Sequence, residues 1–372
     1  MKKFIPAFVC LFLVVTLSGC ADVKILEKIG IITTVGYDIG EDDKLSTTMV
    51  LLQSDPDAPK NSSIVTSDAI TSKGSRIKAN LKTPKKLQSG QLRVALFSDE
   101  LAKNGLNTII DTLVRDPSIS DLTYLAIVQG SAEELLRNEN EQYIDMGRYV
   151  YEEIDQNIKN ELIPSATLQE VLHDYYSVGV DPIIPTIKLD NQQIMITGMA
   201  IMQNDKKVGT ISSDKSFYIK LVKGRYEAGS LELIIENDDS KEIENDTKKL
   251  AVVLDTIKSK SDVELKKKGE LEFEMNLKID SRLLEVNQNI DLKKTKNIKM
   301  IEKEVKKKMT KEIEALIAYC QSKKSDAFGF GEVYRSSIKD SKLTREKWHE
   351  LYKDIKVNVK VDFNILRTGV VE

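Results

Sequence analysis

Residues 270–279 read Glu270-Leu271-Glu272-Phe273-Glu274-Met275-Asn276-Leu277-Lys278-Ile279, with an apolar side chain at every second position. Successive side chains of a β-strand point to opposite faces of its sheet, so this pattern predicts a strand with one buried and one solvated face. Residues 355–363 repeat the alternation near the C-terminus. Half-buried strands are typical of antiparallel sheets. We therefore predict an antiparallel sheet in the C-terminal half of the chain.

A long amphipathic helix is predicted between these two strands, over residues 298–320. Its apolar residues recur at three- and four-residue intervals, which places them on one face of a helix. They are Ile301, Val305, Met309, Ile313, Leu316, Ile317 and Cys320. Packing this helix across the sheet is the simplest way to bury both apolar faces. Because Cys320 lies on the stripe, we interpret it as a small core residue.

The N-terminal half alternates between strand and helix patterns. Residues 24–37 and 45–53 predict a hairpin across a polar turn, and residues 54–63 predict a loop. The further predictions are strands at residues 92–97 and 122–129, and helices at residues 68–81, 98–114, 132–138, 141–159 and 167–176. Such alternation indicates an α+β (mixed α/β) fold, with a strand-helix N-terminal domain and a C-terminal antiparallel sheet packed with the long helix.

The chain is long enough for two to three domains. Residues 1–19 are predicted to be a signal peptide that is removed, residues 20–190 an N-terminal mixed α/β domain, and residues 191–372 a C-terminal α+β domain. Prolines shortly before residue 190 mark this boundary. The C-terminal domain could divide again near residues 240–265.

The N-terminus has the pattern of a lipoprotein signal. Lys2 and Lys3 precede an apolar run over residues 5–17, which is shorter than the ~20 residues that a membrane span requires. The run ends in Leu17-Ser18-Gly19-Cys20, an acceptor pattern for diacylglycerol on the Cys20 thiol with cleavage before the cysteine. Cys20 could also carry an N-linked acyl chain such as palmitate. Two acyl chains give stable membrane attachment, so we predict a body tethered by lipid to the outer face of a membrane.

Composition argues against several classes of protein. The 372 residues include 55 basic and 58 acidic side chains, for a net charge of −3, so nucleic acid is not an expected partner. Three cysteines are present. Cys10 leaves with the signal peptide and Cys20 is assigned to lipid, which leaves Cys320 alone in the body. No intramolecular disulfide is therefore expected.

Motifs for catalysis or metal binding are weak or missing in the sequence. The two histidines, His173 and His349, have no second ligand at a zinc spacing, and we interpret both as surface or capping residues. Residues 236–240 form an acidic cluster without the glycine of a calcium loop, which favours a solvated turn. A Ser-His-Asp triad stays open because its members come from distant positions, although no Gly-x-Ser-x-Gly elbow is present. We predict no catalytic residue, metal site or cofactor.

Residues 326–331 form a glycine-rich turn, Asp326-Ala327-Phe328-Gly329-Phe330-Gly331, directly after the predicted long helix. A phosphate-binding loop would need a strand before it and a third glycine at the dinucleotide spacing. We favour a structural interpretation, in which the glycines take the left-handed conformation that ends a helix. Phe328 and Phe330 would then pin the turn to the core.

Several stretches resemble the Ger(x)C lipoproteins, the C subunits of spore germinant receptors. The turn at residues 326–331, Trp348 and the strand ending at residues 365–369 are similar to the closing pattern of that family. Residues 93–105 and Leu113-Val114-Arg115-Asp116-Pro117 resemble its strand-helix core, and residues 196–201 resemble the strand that opens its C-terminal half. The residues carried over as structural family-motif positions are Arg115, Asp116, Asp326, Phe328, Gly329, Gly331 and Trp348.

Two positions depart from the family pattern. Ala21 stands where the family often has tryptophan after the lipid cysteine, and Gln91 stands where it often has histidine. Neither position touches the anchor or the predicted core, but they leave the particular receptor, and hence the nutrient, undetermined.

The resemblance implies a non-enzymatic subunit of a nutrient germinant receptor with integral-membrane A-type and B-type subunits as partners. It implies a location at the inner membrane of the dormant spore, with attachment to membrane lipid through Cys20. An alternative is a solute-binding lipoprotein of an ABC transporter, which should show repeated βαβ units in two similar lobes. A membrane-tethered hydrolase is a third hypothesis.

Overall fold

The computed structural model describes residues 28–52, 62–138, 145–223, 229–236, 249–267, 269, 271–339 and 341–368. The strands are β1 Ile29–Ile39, β2 Leu45–Leu52, β3 Ser62–Ala69, β4 Lys86–Gln88, β5 Val94–Ser98, β6 Tyr124–Val128, β7 Ile183–Asp190, β8 Gln193–Gln203, β9 Lys206–Ser212, β10 Leu231–Glu236, β11 Lys249–Lys267, β12 Glu272–Val286 and β13 Lys356–Thr368. The helices are α1 Ser72–Asn80, α2 Asp99–Asn104, α3 Asn107–Val114, α4 Ala132–Arg137, α5 Met146–Lys159, α6 Leu168–Tyr176, α7 Ser213–Lys223, α8 Thr295–Ser322, α9 Phe330–Ser337 and α10 Arg345–Tyr352. These elements confirm the mixed α/β prediction.

The first sheet has the strand order β3-β2-β1-β5-β6-β7-β8-β9, with β4 also paired to β1. The four central strands β1, β5, β6 and β7 run parallel, and β4 also pairs parallel with β1. The outer strands β2, β3, β8 and β9 pair antiparallel. The predicted first hairpin is confirmed as β1 and β2. Helices cover both faces, because apolar clusters lie on each side of the central strands. Strands buried on both faces are typical of parallel sheets.

Strand β3 corrects the end of a predicted loop and the start of a predicted helix. Residues 54–61 of the predicted loop lie outside the described residues, but residues 62–63 already belong to β3. The helix expected from residue 68 begins at Ser72. The strand lies at the sheet edge and most of its side chains are only partly buried, so its sequence lacks a strong apolar alternation. Helix α1 begins where the Thr71 hydroxyl accepts a hydrogen bond from Gly74 N at 3.1 Å.

The second sheet has the order β10-β11-β12-β13. Its first three strands are antiparallel, as predicted, but β12 and β13 run parallel. The predicted fully antiparallel arrangement is therefore wrong at the last pair. Helix α8 lies between β12 and β13 in the chain and returns the chain to the end of the sheet where β12 began. Parallel neighbouring strands require such a crossover connection. The seven residues of the predicted apolar stripe on α8 are all buried.

Strands on both sides of residue 190 belong to the first sheet. β7 and β8 pair antiparallel, and the turn between them contains Asn191 and Gln192 in the left-handed region. The predicted domain boundary between residues 190 and 191 falls in this turn. The possible division near residues 240–265 overlaps β11, which pairs with β10 on one side and β12 on the other. The domain limits stay a prediction.

Candidate functional site

A buried polar cluster lies where the first sheet meets the helices of the second. It consists of Asp181, Asp326, Trp348 and His349, and we call it the junction cluster. Asp181 lies just before β7, Asp326 follows α8, and the other two residues lie on α10. All four side chains are buried. Buried polar groups persist where they are hydrogen-bonded, so each contact in this cluster has a structural consequence.

The Asp326 carboxylate organises the glycine-rich turn. Its Oδ1 accepts hydrogen bonds from Phe328 N at 3.2 Å and Gly329 N at 2.8 Å. Its Oδ2 accepts from Gly331 N at 2.9 Å and from Trp348 Nε1 at 3.0 Å. The structure thus brings five of the predicted motif residues, Asp326, Phe328, Gly329, Gly331 and Trp348, into one set of contacts. The polar contacts of Asp326 hold the backbone of the turn in place.

Asp181 connects this turn to the first sheet. Asp326 N donates to Asp181 Oδ2 at 2.8 Å, and Asp181 N donates to the Asp326 carbonyl oxygen at 2.9 Å. Asp181 Oδ1 accepts from Asn204 N in the turn between β8 and β9, at 2.9 Å. His349 Nε2 lies 2.9 Å from Asp181 Oδ2. One carboxylate therefore joins the start of β7, a turn of the first sheet and helix α10.

His349 corrects the interpretation made from the sequence. It was expected to be a surface or capping residue, but its side chain is buried against Asp181. Their separation of 168 residues explains why no local spacing could reveal the pair. His173 is exposed, with 67% of its side chain accessible, as the surface interpretation requires.

Two glycines of the turn are required for different reasons, Gly331 by close packing and Gly329 by its backbone conformation. A Cβ atom added to Gly331 would lie 2.3 Å from Gly179 Cα and 2.6 Å from the Trp348 ring. Gly329 has a φ of +83° and precedes α9. The glycines were expected to end the long helix, whereas Lys324, with a φ of +52°, takes the left-handed conformation after α8 and Gly329 begins the next helix.

Aromatic rings surround the polar contacts. Trp348 stacks on Tyr334 with ring centroids 5.6 Å apart, and Phe273 of β12 meets Phe330 edge-on at 5.3 Å. Phe328 packs on Phe330 at 5.9 Å. Both phenylalanines of the turn thus pin it to the core, as the sequence predicted.

The electrostatics of the junction cluster follow from its burial. Burial raises the pKa of Asp326 to about 7 against the opposing effect of the N–H donors, and the Asp181 carboxylate adds to the rise. Burial also raises the pKa of the Cys320 thiol, which lies on the apolar face of α8 and is unsuited to act as a nucleophile. Among the described residues, no group of three His, Cys, Asp or Glu side chains is arranged to hold a metal ion.

The other two motif residues lie away from this cluster. Asp116, after α3, accepts hydrogen bonds from Lys73 Nζ at 2.8 Å and from Arg76 Nη1 at 3.0 Å. These contacts connect α1 to the end of α3. Burial alone would raise the pKa of Asp116. Hydrogen bonds from Lys73, Ser118 and Arg76 outweigh this effect and hold the pKa well below its usual 3.8. Arg115 is exposed and pairs with Asp111 at 2.7 Å.

Several predicted features fall outside the described residues. Among them are Cys20, the signal peptide before it and residues 237–240 of the acidic cluster. Within the part of the chain that the structure describes, no helix has the length and apolarity needed to cross a membrane.

Comparison with known proteins decides the family. Residues 22–189 match the family described as "Spore germination protein N-terminal domain", and residues 197–369 match "Spore germination B3/ GerAC like, C-terminal". The chain belongs to the Ger(x)C family of spore germination proteins. This membership indicates a C subunit of a spore germination receptor. The resemblance to this family seen in the sequence is thereby confirmed, and the individual motif positions stay a prediction.

Relatives of this Ger(x)C protein match over its full length. It is 24% identical over 373 residues to spore germination protein GerQC of Bacillus cereus, covering 100% of both chains. It is 22% identical to spore germination protein KC of Bacillus subtilis, covering 100% of this chain and 97% of that one. The crystal structure of the GerBC protein shares the fold, with a TM-score of 0.53 at 16% identity, over 92% of this chain and 100% of that chain.

Proposed function

We propose that this Ger(x)C protein is the lipid-anchored, non-enzymatic subunit of a nutrient germinant receptor and is required for spore germination. The observation that carries the proposal is the match of both family domains, which together reach from residue 22 to residue 369. The subunit acts through contacts with the integral-membrane A-type and B-type receptor subunits.

The anchor is assigned to Cys20, with diacylglycerol on its thiol, at the outer face of the spore inner membrane. The sequence around Cys20 supports this assignment, since a charged start and a short apolar run lead directly to the cysteine. Mass spectrometry of the N-terminal peptide from purified protein tests it. Diacylglycerol on Cys20 is expected, and an unmodified cysteine or a retained signal peptide would contradict the assignment.

A function carried by contact surfaces, with no catalytic site, is supported by the structural role of the buried carboxylates. The oxygens of Asp181 and Asp326 accept hydrogen bonds from main-chain N–H groups and from Trp348, so these carboxylates stabilise the fold. The transport alternative has less support, because the two sheets differ in strand number and order where two similar lobes were expected.

The germination response tests the requirement. Spores that lack this chain and its paralogous receptors should not respond to the nutrient, and the wild-type gene should restore the response. A Cys20→Ala gene, expressed at native abundance, should restore it poorly. A full response in the deletion strain would refute the proposed function, and a full response with Cys20→Ala would refute an essential tether.

A further inference from the structure

Helix α1 presents an apolar stripe to solvent. Ile77 is 68% exposed, and Ile70 and Leu81, just before and after the helix, are each 86% exposed. The spacing of four residues places Ile77 and Leu81 on one face of the helix, and Ile70 is exposed at its N-terminal end, in the bend between β3 and α1. The opposite face is buried through Ser75 and Ala79. A surface helix ordinarily carries polar residues on its outer face, so this stripe needs a partner.

The same segment has an excess of positive charge. Residues 71–88 contain no Asp or Glu, and Asp68 is the one acid in residues 62–88. The basic residues are Lys73, Arg76, Lys78, Lys82, Lys85 and Lys86. Asp116 neutralises the charge around Lys73 and Arg76.

Among the described residues, Lys78 and Lys82 make no ion pair with an acidic side chain. Each Nζ donates, at 2.8 Å, to a backbone carbonyl oxygen of β3, that of Asp68 and that of Thr66 respectively. A carbonyl oxygen carries no net charge, so these contacts orient the two lysines without neutralising them. The exposed aliphatic stripe is therefore flanked by cations.

The segment lies beside the point where the chain enters the fold. Strand β4 follows α1 closely and pairs with the start of β1, placing Lys86 opposite Ile29. Lys28 is eight residues after Cys20. Eight residues span at most about 29 Å, whatever their conformation. A lipid on Cys20 therefore keeps residue 28 within that distance of the bilayer, and β4 at the end of the segment pairs directly beside it.

We propose that Ile70, Ile77, Leu81, Lys78, Lys82 and Lys86 form a membrane-contact segment that lies on a bilayer containing anionic lipids. The inference rests on the proposed anchor at Cys20. The three aliphatic side chains enter the headgroup boundary while the lysines face lipid phosphates, which is the arrangement of an interfacial helix. Lipid is favoured over a protein partner because, within the part of the chain that the structure describes, Lys78, Lys82 and Lys86 form no ion pair with an acidic side chain, and because the strand that follows the proposed anchor begins beside Lys86.

The fold holds this segment in a fixed orientation. Besides the Asp116 contacts, Asn80 Oδ1 accepts a hydrogen bond from Leu87 N at 2.9 Å, which ties the end of α1 to β4. A single flexible tether would let the body rotate above the membrane. A second, rigid contact would present one constant face to the integral-membrane subunits.

Fluorescence in proteoliposomes tests the proposal. Full-length lipidated protein with Leu81→Cys carries an environment-sensitive dye, and the control carries it at Leu366→Cys, which is 67% exposed on β13. Cys320 is buried, so it should stay unlabelled. In vesicles with phosphatidylglycerol, we expect a lipid-borne quencher to reduce emission at position 81 but not at position 366. Lys78→Gln with Lys82→Gln should weaken this contact about fivefold per lysine, and Lys258→Gln with Lys260→Gln on β11 should not.

The outcomes separate the two proposals. Protein that floats with the vesicles while position 81 stays unquenched would overturn the membrane contact and leave the anchor standing. Protein that does not float would refute the anchor and the contact together. If position 81 becomes shielded only when the integral-membrane subunits are added, the segment binds protein and the lipid proposal is wrong.

Discussion

Trp348 Nε1 donates a hydrogen bond to Asp326 Oδ2 at 3.0 Å, and both side chains are buried. Residue 326 follows the long helix and residue 348 lies on α10, so this bond joins two distant parts of the connection between β12 and β13. Through Asp181, the same carboxylate is joined to the first sheet. These polar contacts add to the apolar cluster that the two sheets share.

Removing the Trp348 ring should destabilise the protein strongly. Trp348→Ala leaves a cavity and removes one donor to Asp326, for an expected loss of ~3–5 kcal/mol in the free energy of unfolding. Tyr176→Ala is the control, because Tyr176 is 66% exposed and its loss should cost less than ~0.5 kcal/mol. Denaturant titrations give both values. Equal effects of the two substitutions would contradict the role assigned to Trp348.

Gly331 should not tolerate a side chain. A methyl group there would overlap Gly179 Cα and the Trp348 ring, so Gly331→Ala should cost ~1–3 kcal/mol or more through displaced backbone. Gly90→Ala provides a matched control, since its Cβ would meet only Ser118 O at 3.8 Å. Thermal melting compares them. A Gly331→Ala protein as stable as Gly90→Ala would show that the backbones are not in close contact.

Much of the second sheet and its long helix could be predicted from the sequence. The features that could not be predicted have physical reasons. The stripe on α8 and the alternation of β12 are local patterns, and both elements formed as expected. Alternation does not encode strand direction, so the parallel pairing of β12 with β13 was not visible. The contact between Asp181 and His349 depends on the packing of two sheets and has no signal in either local sequence.

The Tyr352 hydroxyl is buried without a hydrogen-bond partner among the described residues. An unsatisfied buried hydroxyl costs ~1–3 kcal/mol, so Tyr352→Phe should leave stability unchanged or raise it by about 1 kcal/mol. Tyr319→Phe is the opposite case, because its hydroxyl contacts Thr210 N and Thr210 O, each at 3.3 Å. That variant should lose about 1 kcal/mol. Calorimetric melting compares the two variants. An equal loss of stability in both would contradict the different roles assigned to the Tyr352 and Tyr319 hydroxyls.

Asp116 should make stability depend on pH in the acid range. Its pKa is lower in the folded protein than its usual 3.8, so the folded state binds fewer protons. Its contribution is present above about pH 4 and is lost as the pH falls through the lower, folded value. Asp116→Asn should cost ~1–3 kcal/mol at pH 7 and flatten the acid dependence. Asp111→Asn removes only the exposed ion pair with Arg115. It should change neither the stability at pH 7 nor the dependence of stability on acid pH. The free energy of unfolding is measured between pH 2 and 7 for both proteins. An equal dependence on pH for wild type and Asp116→Asn would refute this assignment.

The most direct test of the proposed function is affinity purification of the tagged protein from spore inner-membrane extract, with the Cys20→Ala variant as control. We predict recovery of two polytopic membrane proteins encoded beside it, and reduced recovery with Cys20→Ala. Recovery of an ATPase and a permease instead would contradict the receptor assignment and favour transport.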